Sequence, residues 1–326
     1  PPVIAVSMGD PRGIGPEVIA KALSDDELRR STRWVVYGWS STIRDAFAHL
    51  GRTTPPELQI VEAVPPDSEP GGASFAFVEQ AISAGAAGRA AAIVTAPINK
   101  EAWASAGHAN YPGHTELLIE RLAAGSPSDC NMMFVAPMLR VILVTAHIPL
   151  ARVPQALTIE RVAGTIRAAH RACVELGVLR PRIATCGVNP HAGENNLLGD
   201  DETRVIIPAI HRAKSDGIDA QGPFPADTVF RDAVNFRKFD IVVAMYHDQG
   251  LIPVKTLAFD SAVNMTTGLR IPRTSPDHGT AFDIAGKNLA DHGSMKHAMQ
   301  LAVTLASRRK IASPHRGHDV TGNGDR

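Results

Sequence analysis

The chain predicts an α/β fold, with parallel strands covered by helices, on three observations. Short β-branched apolar runs recur along it: VIAVSM, WVVYG, AAIVTAP, RVILVTA and DIVVAMY. Stretches of helical length and periodicity separate them, and Gly, Pro or Asp mark many of the junctions. A strand, a covering helix and a second strand form a unit whose two strands run parallel.

Taken in order, the run from Val3 leads into the loop GDPRGIGPE, Gly9 to Glu17, and then into the helical stretch PEVIAKALSDDELRR. Pro16 and Glu17 suit the first turn of a helix. The loop glycines permit a tight turn or close approach of a ligand, so it is either a strand-to-helix turn or the border of a cleft at the strand ends. It lacks the GxGxxG spacing. WVVYG precedes a helix around IRDAFAHL, and VPPDSEPGGAS, residues 64–74, reads as a loop. AAIVTAP precedes a helix from Asn99, RVILVTA precedes one around Ile159 to Leu176, and DIVVAMY follows a long polar stretch. The tail from Ser313, SPHRGHDVTGNGDR, has no apolar periodicity and is expected to be disordered.

Composition narrows the function classes. With 326 residues, 44% hydrophobic and 20% charged, the chain can build one large unit or two domains sharing a cleft. The 33 basic and 33 acidic residues cancel, so neither nucleic acid nor an anionic membrane is an expected partner. Cys130, Cys173 and Cys186 are few and scattered, which argues for a reducing compartment and against a disulfide framework. With no apolar span of about twenty residues and no signal-like segment, a cytoplasmic enzyme acting on a small molecule is the simplest class.

Three histidines follow apolar runs: His147 after VILVTA, His191 after IATCGVNP and His247 after IVVAMY. Strands that deliver imidazoles to one edge of a sheet could hold a divalent metal with positions left open for catalysis. No HExxH or CxxC spacing supports this, and each histidine alone could be structural.

Further polar constellations surround these. TAPINK, Thr95 to Lys100, precedes YPGHTE, Tyr111 to Glu116, in which His114 and Thr115 could donate to an anion or Thr115 could simply cap a helix. Lys255, Asn264 and Arg273 follow among apolar neighbours; two full charges, one of them a planar fork, and an amide suit a phosphate. In SPDHGTAFDIAGKN, Asp283 could accept from ribose hydroxyls, while Thr280 could cap a helix.

Together GDPRGIGPE, TAPINK, YPGHTE, TAHIPL, GVNPHAGE, FPADT, AMYHDQG and RTSPDHGTAFDIAG resemble the 4-hydroxythreonine-4-phosphate dehydrogenase family of pyridoxal phosphate biosynthesis, from Val3 to about Leu305. The first loop and HGTAFDIAGKN also resemble isocitrate and isopropylmalate dehydrogenases. The resemblance implies two α/β/α domains with the active site in the cleft between them: residues 1–128 plus 265–312 with the cofactor segment, and 129–264 with metal ligands and dimer contacts. It implies His147, His191 and His247 as metal ligands in a homodimer whose site lies at the interface. His114, Thr115, Lys255, Asn264 and Arg273 would contact substrate, and His278, Gly279, Asp283 and Asn288 would contact the cofactor.

The implied reaction is oxidation of 4-phosphohydroxy-L-threonine at its 3-hydroxyl, then decarboxylation to 3-amino-2-oxopropyl phosphate. NAD is the expected acceptor, with NADP the alternative, and zinc the first expected metal ahead of magnesium, manganese or cobalt. Asp227, Asp248 and Lys100 are candidate proton acceptors. D-threonate or D-erythronate 4-phosphate, giving dihydroxyacetone phosphate, are the alternative substrates. Phosphate-free aromatic dihydrodiols, used by other relatives, do not suit Lys255, Asn264 and Arg273. A metabolite-binding protein without turnover is the non-enzymatic alternative. The stretch with Cys130, Asn131 and Pro137 departs from the family pattern.

Overall fold

The structure is a computed structural model that describes residues 1–312. The tail from Ser313, expected to be disordered, lies outside the described residues. The strands are β1 (Val3–Ser7), β2 (Arg33–Tyr37), β3 (Gln59–Val61), β4 (Ala92–Thr95), β5 (Met132–Val135), β6 (Arg140–Leu143), β7 (Ile183–Cys186), β8 (Ala220–Phe224), β9 (Ile241–Ala244), β10 (Val263–Thr266) and β11 (Arg273–Pro276). All 11 form one sheet in the order β3-β2-β1-β4-β11-β10-β5-β6-β9-β7-β8.

The expected parallel pairing holds on both flanks, among β3, β2, β1, β4 and β11 and among β6, β9, β7 and β8. It fails in the middle, where β11–β10, β10–β5 and β5–β6 are antiparallel. The links at 136–139 and 267–272 are too short to carry the crossover that a parallel pair needs, so β5–β6 and β10–β11 each turn back as a hairpin, and the two hairpins pair through β5 and β10.

Alternation along the strands sorts side chains to two faces. In β6, β9 and β7, Ile142, Val243 and Ile183 pack with the helices Ile159–Glu175 and Ile207–Ser215. Their neighbours Val141, Leu143, Val242 and Ala184 face the opposite layer with the helices Ala226–Asn235 and His247–Ala258. Each fully buried Ile or Val contributes about 1.5–3 kcal/mol relative to an exposed one, which pins the register of these strands. A separate core joins β1, β2 and β4 to the helices Gly15–Leu23, Pro70–Ala86 and Gly293–Ala312.

Three local expectations are corrected. The stretch 64–74 is not all loop: a helix starts at Pro70, capped by the Glu69 carboxylate, which accepts from the Gly71 and Gly72 amides at 2.9 and 2.7 Å. Thr115 is not an N-cap; the helix His114–Leu122 begins after Gly113, with no side-chain cap. No helix starts at Thr280, because 282–288 is a succession of turns and the last helix begins at Gly293.

Candidate functional site

Several of the polar residues singled out in the sequence, Lys100, His114, Thr115, His147, Asn264 and Arg273 among them, gather at one cleft. This cleft, of about 450 Å³, is walled by β4, β10, β11, the segment 112–116 and the start of the 277–288 turns.

Arg273 forms its floor. The antiparallel register sets Thr266 opposite Arg273 and Asn264 opposite Ser275, so all four lie on one face of the β10–β11 hairpin. Arg273 donates to the Thr95 hydroxyl from Nε (3.0 Å) and Nη2 (2.5 Å), and to the Thr266 hydroxyl from Nη1 (3.3 Å). No carboxylate among the described residues pairs with it, and burial pushes its pKa down to about 9. A buried guanidinium held only by hydroxyls keeps an unneutralised charge and could hold an anion.

Asn264 and His114 line the same cleft, and Asn264 Oδ1 and His114 Nε2 are buried without hydrogen-bond partners. Native interiors rarely leave such atoms unpaired, so both await a ligand or water. Burial, followed by the charges of Arg273 and Lys100, holds the His114 pKa well below that of a free imidazole, keeping the ring neutral. Thr115 and Lys100 also line the cleft. Lys255 does not; its ammonium lies 3.3 Å from the carboxylate of Asp277, which does.

Adjacent parallel strands β6 and β9 bring His147 and His247 together, with ring centroids 5.6 Å apart. His247 Nδ1 is bonded to Asp248 Oδ1 at 2.7 Å, which leaves Nε2 as its outward nitrogen. This carboxylate–imidazole pairing is the usual support of a metal ligand. Burial, then the Lys100 charge, lowers the His147 pKa, favouring the neutral, ligating form. The two rings therefore fit a divalent ion. His191 does not join them in this chain: it is exposed on the turn Pro190–Gly193 beyond β7, at φ 52°, and no group of three ligating side chains forms among the described residues.

Asp227 is exposed in the first turn of the helix Ala226–Asn235 and does not line the cleft. His278 and Gly279 line it, whereas Asn288 lines a second cleft of about 250 Å³ with Pro11 to Gly13. Asp283 is exposed between them and lines neither. The GDPRGIGPE loop docks on these turns: the Ile14 amide donates to the Thr280 carbonyl (2.9 Å), and Arg12 sits 5.4 Å from the Phe282 ring centre. A Cβ on Gly13 would lie 2.8 Å from that carbonyl, so this glycine is required for the approach.

Sequence reasoning missed Asp277 and gave Thr95 and Glu116 no role of their own, although all three line the cleft. Asp277 stands beside His278 in SPDHGT, but only the fold shows that it meets Lys255.

The family model described as pyridoxal phosphate biosynthetic protein PdxA matches residues 29–302. A 4-hydroxythreonine-4-phosphate dehydrogenase of Beijerinckia indica is 43% identical, over 95% of this chain and 96% of its own length. A D-threonate 4-phosphate dehydrogenase of Cupriavidus necator is 42% identical, over 94% of this chain and 98% of its own. The crystal structure of 4-hydroxythreonine-4-phosphate dehydrogenase from Klebsiella pneumoniae superposes with a TM-score of 0.80 at 40% identity, covering 94% of this chain and 98% of that one. A β-decarboxylating dehydrogenase from Thermococcus kodakarensis shares the fold at a TM-score of 0.50 and 16% identity, covering 96% of this chain and 88% of that one. The chain belongs to the PdxA family and is an oxidoreductase, with a fold it shares with a β-decarboxylating dehydrogenase.

Proposed function

We propose that the protein oxidises 4-phosphohydroxy-L-threonine at its 3-hydroxyl with NAD as hydride acceptor and decarboxylates the product to 3-amino-2-oxopropyl phosphate. The observation that carries this reading is the buried Arg273, charged and without a carboxylate, beside the unpaired Asn264 Oδ1 and His114 Nε2. Relatives named for 4-phosphorylated substrates support it.

Arg273 binds the phosphate dianion, with Lys255 adding charge from the cleft edge and Thr115 an hydroxyl donor. Asn264 and neutral His114 supply the remaining hydrogen bonds and fix the substrate's orientation. NAD supplies the hydride acceptor, and a divalent ion, zinc first and magnesium, manganese or cobalt after it, supplies positive charge for the oxygen being oxidised and for the carboxylate that leaves. His147 and His247 hold that ion. Asp248 orients His247 rather than acting on substrate, since its Oδ1 is bonded to Nδ1. Of the three candidate proton acceptors, Lys100 is the one that lines the cleft, which favours it over Asp227 and Asp248. His278 and Gly279 border the nicotinamide end of the cofactor, and Asn288 with the Gly9–Glu17 loop the adenosine end.

His191 completes the ligand set from a second copy of the chain in a homodimer. Its exposed turn is followed by exposed Leu197 and Leu198, and Leu150 leaves further apolar surface for such an interface. No helix among the described residues is long and apolar enough to cross a membrane.

Oxidation of D-threonate or D-erythronate 4-phosphate to dihydroxyacetone phosphate is the second reading, favoured by the 42% identity to a D-threonate 4-phosphate dehydrogenase. Initial rates of NADH formation with each of the three substrates and zinc, magnesium or manganese decide between them. The higher kcat/KM names the substrate. Absence of metal-dependent NADH formation with all three overturns both readings.

A further inference from the structure

We propose that Asp277 is a positioning residue that holds the Lys255 ammonium at the wall of the substrate cleft. This rests on the functional reading above.

The two residues come from different elements. Lys255 lies on the helix that follows β9, and Asp277 immediately follows β11. The Asp277 carboxylate lines the cleft, is largely buried, and meets Lys255 Nζ at 3.3 Å. Its backbone is fixed in turn. The Asp277 amide donates to the Ser294 hydroxyl (3.0 Å), and that buried hydroxyl donates to the Ala262 carbonyl (2.8 Å) beside β10. Lys255 has no comparable mount of its own. Its ammonium otherwise only stands over the exposed Phe259 ring, 5.6 Å from the centre, on the solvent side. A carboxylate alone on the wall of a phosphate cleft would repel the ligand; paired with Lys255 it cancels its own charge and places a cation where the anion enters. Lysine is a flexible point charge, so the position of that charge depends on what holds it.

Asp277→Asn keeps the shape and removes the charge. For whichever phosphorylated acid the wild type oxidises, KM is expected to rise about tenfold, with kcat within about twofold of wild type. Asp277→Glu recovers most of the loss. In a Lys255→Met background, Asp277→Asn changes KM by less than about twofold, because the group it positions is gone. A second measurement needs no turnover: acetylation of Lys255 by acetic anhydride, followed by peptide mass spectrometry, runs about threefold faster in Asp277→Asn as the ammonium swings to solvent. Should the wild type oxidise none of the substrates, the functional reading fails while the acetylation rate still decides this inference. Unchanged acetylation, multiplicative effects on KM in the double variant, or loss of zinc binding in Asp277→Asn each overturn it, the last by placing Asp277 on the metal.

Discussion

Arg273 on β11 reaches Thr95 on the neighbouring β4, and both its Nε and Nη2 donate to the one hydroxyl, at 3.0 and 2.5 Å. The guanidinium is thereby aimed but not neutralised. Its pKa, about 9, stays above neutral pH but below its value in the unfolded chain, so burial of the charge costs stability throughout the range below about 9. Arg273→Met is expected to leave the ligand-free protein within about 1 kcal/mol of wild-type stability, or to raise it. The same change should raise KM for the phosphorylated substrate about a hundredfold. Urea unfolding and initial rates check this together; a large loss of stability would show that Arg273 is structural.

His147 and His247, with ring centres 5.6 Å apart, would supply two ligands of the proposed metal site. Alanine at either position is expected to abolish zinc binding and reduce kcat by at least about a thousandfold, as EDTA should in the wild type. His191→Ala should do the same despite its exposed turn. Mixed in equal amounts and reassembled, the His147→Ala and His191→Ala chains should recover about a quarter of wild-type activity if the ligands come from two copies, since half the dimers are mixed and each carries one intact site. No recovery would place all three ligands within one chain.

His114 is neutral in the folded protein, its pKa lowered first by burial. Between that lowered value and the ordinary histidine pKa the unfolded chain binds a proton that the folded one does not, so stability falls as pH drops through about 6.5. The urea midpoint is expected to decline from pH 7.5 to 5.5. His114→Gln should flatten that decline by up to about 1.4 kcal/mol per pH unit, the value of one proton. An unchanged slope would mean that His114 is protonated in the folded state.

Asn131, just before β5, ties three elements together. Its Nδ2 donates to the Leu143 carbonyl (3.2 Å) and the Thr165 hydroxyl (3.0 Å), and its carbonyl accepts from the Thr267 amide (2.9 Å). Asn131→Ala removes the donor to the Leu143 carbonyl and to the Thr165 hydroxyl, which keeps its own bond to the Arg161 carbonyl, and is expected to cost about 2 kcal/mol by urea unfolding. Activity per folded molecule should be unchanged, because Asn131 does not line the cleft.

By itself the sequence determined the α/β class and singled out the histidines beyond β6, β7 and β9 and the Asn264 and Arg273 that line the cleft. These were legible because short β-branched runs and strand-end polar residues are local patterns, set by what a buried strand must hide and what its end can expose. The cap at Glu69 and the helix from Pro70 were also written locally, but the glycines after them read as loop. Only the tertiary structure decided the antiparallel middle of the sheet, which sets Asn264 and Arg273 on one face of a hairpin, and the placement of Asp277 against Lys255. It also separated His191 from the pair at β6 and β9 and kept Asp227 out of the cleft. Strand order and pairing across 22 residues, from 255 to 277, depend on the packing of whole layers, and no local pattern in the chain encodes which distant charge a lysine will meet.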